Sequence, residues 1–171
     1  MKGVLFKPEI TRAIMEGHKT QTRRLRPLGK VGDVLYVKET WLDNGRKSPG
    51  NLRYRIDATV EDEQYLIGYC NLKWRPPLLM PEWAARTKLR LTRVWEEWLW
   101  DISEKDATAE GAFDCPEEWK EQAARIARSE GKKRVGAIEY FREIWTRVHP
   151  RIGATWADNP SIYAHEFEVV K

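Results

Sequence analysis

The sequence predicts an α+β domain: a small, curved, barrel-like sheet with flanking helices. Three observations carry that expectation. Several short segments alternate apolar and polar residues or run in β-formers, helices and loops of unequal length separate them, and no βαβ unit repeats. The last point argues against a doubly wound parallel sheet. At 171 residues one domain over 1–171 is expected, with insertions at about 43–87 and 113–150.

"GVLFKPEITRAIMEGHK" reads as a short strand and then a helix. Pro8 suits the first helical position, where its missing N–H has no partner to lose. Ile10, Ala13 and Ile14 share a face, and Gly17 supplies the left-handed residue that ends a helix. The chain then runs extended through "KTQTRRL", where alternation sets Thr20, Thr22 and Arg24 on one side and Gln21 and Arg23 on the other. A Gly-Asp turn leads into a strand from Val34 to Val37.

Residues 43–87 are the least regular part. "LDNGRKSPGN" carries turn signals, "LRYRIDAT" alternates like a strand, and the prolines of "KWRPPLLMPEWAAR" exclude a long helix but not a packed loop. Leu89 to Val94 alternates as a strand with one buried face. Ser103 is the expected N-cap of the next helix, with Glu104 and Asp106 in its first turn. Two amphipathic helices follow: one places Trp119, Ala123, Ile126 and Ala127 on a face, the other Ile138, Phe141, Trp145 and Val148. Pro150 stops the second, and "SIYAHEFEVVK" is a final strand.

Composition narrows the class. Hydrophobic residues make up 42% and charged residues 33%, a globular balance rather than a disordered one. The apolar run at the N-terminus breaks at Lys7 and Pro8, too early for a signal peptide, and no stretch approaches the roughly 20 apolar residues that span a bilayer. A soluble, cytoplasmic protein without a membrane partner is expected. Cys70 and Cys115 form no CxxC, and His18, His149 and His165 are scattered, so neither a disulfide framework nor a metal site is expected and both thiols read as buried. Dinucleotide, phosphate-loop and nucleophile-elbow motifs are missing, and no cofactor is expected.

Charge is uneven. Residues 1–30 hold eight lysines and arginines against two glutamates, a local surplus of +6 on a chain of net +4. Such a segment suits an anionic partner, or it is a solvated face.

The residues that could carry chemistry begin with Lys19 and Thr22. A turn at Gly17–His18 brings the Lys19 amine back over Thr22. An amine serves as a base only when burial or neighbouring cations lower its pKa from about 10.4, and Arg23, Arg24 and Arg26 are such cations. A threonine hydroxyl needs an adjacent base to act as a nucleophile. The plain alternative is an exposed lysine near a threonine, with Arg23 and Arg26 as charge alone. Glu110 is the second candidate, either a protonated acid among small and apolar neighbours or a residue at the helix margin. Among nine tryptophans, Trp41, Trp74, Trp83 and Trp156 lie in or beside loops, where they either stack on bases or pack.

Taken in order, these pieces resemble the ASCH family, a PUA-like β-barrel superfamily linked to RNA. "GHKTQTRR" is similar to its G-x-K-x-x-[TS]-x-R signature, with Gly17, Lys19, Thr22 and Arg24 at the matching positions. The resemblance continues through "KVGDVLYV", "KLRLTRV", "ISEKDATAEG" and "IYAHEFEVV" and covers nearly the whole chain. "VKETW", "WRPPLLMPEWAAR" and "WADNPSIYAHEF" look most like the ASCH-type proteins of phages and prophages. It implies a PUA-like small β-barrel. Bacterial ASCH enzymes that hydrolyse 4-acetylcytidine use a lysine as proton acceptor, a threonine three positions on as nucleophile and a glutamate of a following helix as proton donor. The resemblance places these roles on Lys19, Thr22 and Glu110, with Gly17, Arg24, Trp41 and Tyr163 around the substrate. It implies an amidohydrolase for an acylated cytidine or related modified nucleoside, or RNA carrying it. Relatives that bind single-stranded RNA without catalysis, or cleave it, share the lysine motif and give the alternatives. The chain departs from the small enzymes in its two insertions.

Overall fold

The computed structural model of the chain describes residues 1–43 and 51–170. The turn signals expected over 44–50 lie outside the described residues. In chain order the elements are β1 (Lys2–Leu5), α1 (Pro8–Met15), β2 (Gln21–Arg24), β3 (Val34–Lys38), β4 (Trp41–Asp43) and β5 (Leu52–Tyr54). They continue with α2 (Val60–Glu63), β6 (Lys88–Trp98), α3 (Glu104–Ala109), α4 (Glu117–Ser129), α5 (Ala137–Val148) and β7 (Ser161–Val170).

Five strands make one mixed sheet in the order β1-β3-β6-β7-β2, with β1 parallel to β3 and the other neighbours antiparallel. The α+β class and the flanking helices are as expected. The barrel does not close by a ladder between the two edge strands β1 and β2, and side chains span that gap instead. Arg24 Nη2 donates to the Leu5 carbonyl at 2.8 Å, and Lys2 Nζ donates to the Leu28 carbonyl at 3.0 Å. One carbonyl of β1 and one of the chain just beyond β2 are thereby satisfied without pairing.

The long antiparallel pair of β6 and β7 is the spine. A bulge between Leu91 and Arg93 shifts its register, and the ladder continues to Trp98 opposite Ser161, beyond the expected strand end at Val94. One core packs Ile14 of α1 on Val4, Leu35, Val37, Leu89, Leu91 and Phe167 of the sheet. A second, at the other end, gathers Leu99, Ile102, Ala107, Phe141, Trp145 and Ile162. The span 113–150 supplies α4 and α5, and α5 packs Phe141 and Trp145 inward while Val148, expected on the same stripe, is exposed.

The irregular segment differs from expectation at two points. "LRYRIDAT" keeps only a three-residue strand before Arg55–Asp57 turns, and Thr59 caps a short helix that widens over Gln64–Tyr69. Cys70 ends this turn exposed, not buried, while Cys115 is buried and burial pushes its thiol up to about 11. At about pH 8 a thiol reagent should therefore modify native protein once, at Cys70, because the thiolate is the reactive form. Mass spectrometry reads the count, and prompt double labelling would contradict it. Among the described residues no helix is long and apolar enough to cross a membrane.

Candidate active site

The end of α1 positions the first half of the site. Gly17 takes φ +81°, which turns the chain so that both the His18 and Lys19 N–H groups donate to the Ala13 carbonyl, at 2.9 and 3.0 Å. Thr20 N–H then donates to the Ala109 carbonyl at 2.8 Å, and Phe167 N–H to the Thr20 carbonyl at 2.9 Å. These two bonds fix the segment between the end of α3 and β7. They also set Lys19 beside Glu110.

The second half is built by the cap of α3. Ser103 accepts from Asp106 N–H, as expected, and the helix stops at Glu110 because Gly111 turns left-handed at φ +76°. A Cβ on Gly111 would lie 3.3 Å from the Lys19 Cβ and 3.5 Å from the Ala13 Cβ, so a side chain would crowd the point where the two halves meet. Glu110 is at the helix margin by sequence position, yet it is 5% exposed.

Lys19, Thr22, Arg23 and Glu110 are all buried and line one cavity of about 370 Å³, the lower part of the size range of small-molecule sites. Lys19 Nζ donates to Glu110 Oε2 at 2.5 Å and to the Glu110 carbonyl at 2.7 Å. Burial lowers the Lys19 pKa from its ordinary 10.5; the Glu110 charge and hydrogen bond oppose this, and Arg24 and Arg23 add to it. The cavity floor is Thr22–Arg24 of β2, one wall is Leu5 to Lys7, and α5 supplies the other with Phe141, Ile144, Trp145 and Val148. A larger cavity of about 630 Å³ lies on the far side of Phe6 and contains neither Lys19 nor Glu110.

Arg23 is not the plain surface charge that the sequence suggests. Its side chain is fully buried: Nε donates to Glu97 Oε1 at 2.7 Å, and Nη1 donates to Gln21 Oε1 at 3.2 Å and Glu110 Oε1 at 3.3 Å. Gln21 Nε2 in turn donates to Asp106 Oδ1 at 3.1 Å. The side of β2 opposite Thr22 thus faces acids of β6 and α3 rather than solvent. His165, paired with Thr22 across the ladder, accepts from Leu28 N–H at Nε2 and donates from Nδ1 to the Thr22 carbonyl, at 3.0 and 3.2 Å. Burial lowers its pKa, and this neutral tautomer is fully used in holding β2.

Two expected substrate contacts lie elsewhere. Trp41 is 2% exposed in β4, packed with Leu52, Met80 and Ala84 under the Arg75 guanidinium, and it does not line the cavity. Its neighbourhood reads as a loop in sequence but pairs as a hairpin, so the ring packs. Tyr163 is half-buried opposite Arg24 on β7 and is also outside the cavity lining. Gly17 serves the turn.

His149 is a cavity residue that pattern reading passes over. Its ring stacks on Trp145 at 4.0 Å between centroids and 21° between planes, and its buried Nδ1 has no partner among the described residues. Burial and then the Arg24 charge lower its pKa. Pro150 is the one nearby sequence signal: it biases His149 away from helical backbone and so ends α5 at Val148, but it does not tell where the ring faces. Glu16, His18 and Asp114 bring ligating atoms within 4.8 Å of one another outside this cavity, where a His18 N–H bond to Asp114 at 3.1 Å accounts for the approach.

No family model matches the chain, and no curated protein matches it. Among solved structures it is similar to an Enterococcus faecalis V583 protein, at 14% identity over 99% of this chain and 80% of that one, with a TM-score of 0.46. It is also similar to an ASCH domain from Lactobacillus crispatus JV V101, at 13% identity over 98% of this chain and 78% of that one, with a TM-score of 0.47.

Proposed function

We propose that the chain is a cytoplasmic amidohydrolase that removes the acyl group from an acylated cytidine or a related modified nucleoside. The observation that carries the reading is the buried contact of Lys19 Nζ with Glu110 Oε2 at 2.5 Å, in a cavity that Thr22 also lines. The similarity of "GHKTQTRR" and "SEKDATAEG" to the ASCH catalytic segments supports it.

The contact has a chemical consequence. An ammonium beside a carboxylate and an amine beside a carboxylic acid hold the same number of protons, and the burial that lowers the Lys19 pKa draws the pair toward the uncharged arrangement. In that arrangement one member is a base and the other an acid at the same pH. The Thr22 hydroxyl gives its proton to the Lys19 amine, and its oxygen attacks the amide carbonyl. Glu110 protonates the departing nitrogen, which leaves cytidine, an acyl ester on Thr22 and the charged Lys19–Glu110 pair. Water then gives a proton to Glu110 and attacks the ester, and Lys19 returns its proton to the Thr22 oxygen. A carboxylic acid is released and the pair is restored.

The test is purified protein with 4-acetylcytidine, followed by chromatography. Formation of cytidine and acetate is expected, with a loss on the order of 10²–10⁴ in Glu110→Gln. Absence of turnover by the wild type ends the reading for this substrate.

A further inference from the structure

The cations around the cavity are not equally answered. Lys19 is held by Glu110, Arg23 by Glu97 and Glu110, and Arg147 by Glu143 at 2.6 Å. Arg24 has no carboxylate partner among the described residues. Its Nη2 is used by the Leu5 carbonyl, its plane lies 5.0 Å from the centre of the Phe6 ring, and its Nε is buried without a partner. A guanidinium keeps its charge under any ordinary condition, and a buried charge left without an anion is costly. Close by in the same lining, His149 Nδ1 is also buried without a hydrogen-bond partner, as is Arg23 Nη2, but Arg23 Nη2 still faces Asp106 Oδ2 at 3.9 Å. Lys7, with its amine 4.2 Å from the centre of the Trp119 ring, adds another cation at the wall. The two guanidinium nitrogens lack acceptors, His149 Nδ1 lacks one in the tautomer that carries its proton there, and such orphans in one cleft mark what an occupant must bring.

The surroundings give the rest of the occupant's shape. Phe6, Ile10, Phe141, Ile144 and Trp145 offer apolar and aromatic surface for a planar ring, and about 370 Å³ suits one nucleotide unit rather than a strand. Resting on the cytidine reading above, we propose that the preferred ligand is the phosphorylated form, a cytidine mononucleotide, whose phosphate oxygens accept from Arg24 Nε and His149 Nδ1. The 113–150 segment then acts as part of the site, because α5 delivers His149 on the ring of Trp145.

Calorimetry with cytidine and with cytidine 5′-monophosphate tests this without any turnover. The mononucleotide is expected to bind at least about tenfold more tightly, the scale of one or two charge-assisted hydrogen bonds. Arg24→Gln and His149→Gln, checked for native thermal unfolding, should each weaken mononucleotide binding more than nucleoside binding and narrow the gap. Equal affinity of the two ligands, or a preference that both variants keep, overturns the proposal and leaves the amidohydrolase reading standing. Failure of both ligands to bind overturns the two together. A tri-cytidylate bound more than about tenfold tighter than the mononucleotide overturns it in favour of a strand.

Discussion

Lys19→Met is expected to reduce hydrolysis of 4-acetylcytidine by about 10²–10⁴, because it deletes the amine that donates to Glu110 in the cavity that Thr22 also lines. Methionine keeps most of the buried stem, so lost packing contributes little. The pH profile separates loss of a base from a general disturbance. The pair works with one proton between its two members, so activity should fall on the alkaline side as that proton leaves. A lysine amine in water would set this limb near 10.5; burial, Arg24 and Arg23 lower it. The limb should therefore appear below the ordinary lysine value in the wild type and vanish from the residual activity of Lys19→Met. Arg24→Gln removes one lowering charge and should move the limb upward. A limb unchanged in Lys19→Met would mean that another group titrates there, and the proposed base would be wrong.

The half of this site that lies within one stretch of sequence is legible in advance. Gly17, Lys19 and Thr22 are placed by a helix end and a strand, and both are local events with local signals: a glycine that takes positive φ, and alternation. The cap of α3 is legible for the same reason, and Ser103 accepts from Asp106 N–H as its spacing implies. What alternation does not reveal is the surroundings of the opposite side. Arg23 faces Glu97 and Asp106 because β6 runs past its bulge to Trp98 and α3 folds back over β2, and no neighbour of Arg23 in sequence announces either. Trp41 is misplaced by the reverse error. Turn residues beside it suggest a loop, whereas the β4–β5 hairpin with Met80 buries the ring. His149 depends on α5 docking against α3 and against Ile162 and Ala164 of β7, a tertiary event with no periodic signature.

Arg23→Met should be the most destabilising change in the site, at about 3–5 kcal/mol, because it leaves the largely buried Glu97 carboxylate without a cation among the described residues. Glu97 keeps the Trp95 Nε1 bond at 2.6 Å and Glu110 keeps Lys19, but each loses a guanidinium contact that no other described group replaces. The side chain has no exposed part, so solvent screening offers little relief. A double-mutant cycle locates the cost. Adding Glu97→Gln to Arg23→Met removes the stranded charge while keeping an acceptor for Trp95, so urea unfolding should show a substantial part of the loss recovered. Equal stability of the single and double variants would mean that the penalty comes from lost packing of the Arg23 stem. A single-variant loss below about 1 kcal/mol would mean that water reaches the cluster, as at an exposed pair. In that event the cavity floor would be wetter than its burial implies, and the field that lowers the Lys19 pKa would be weakened with it.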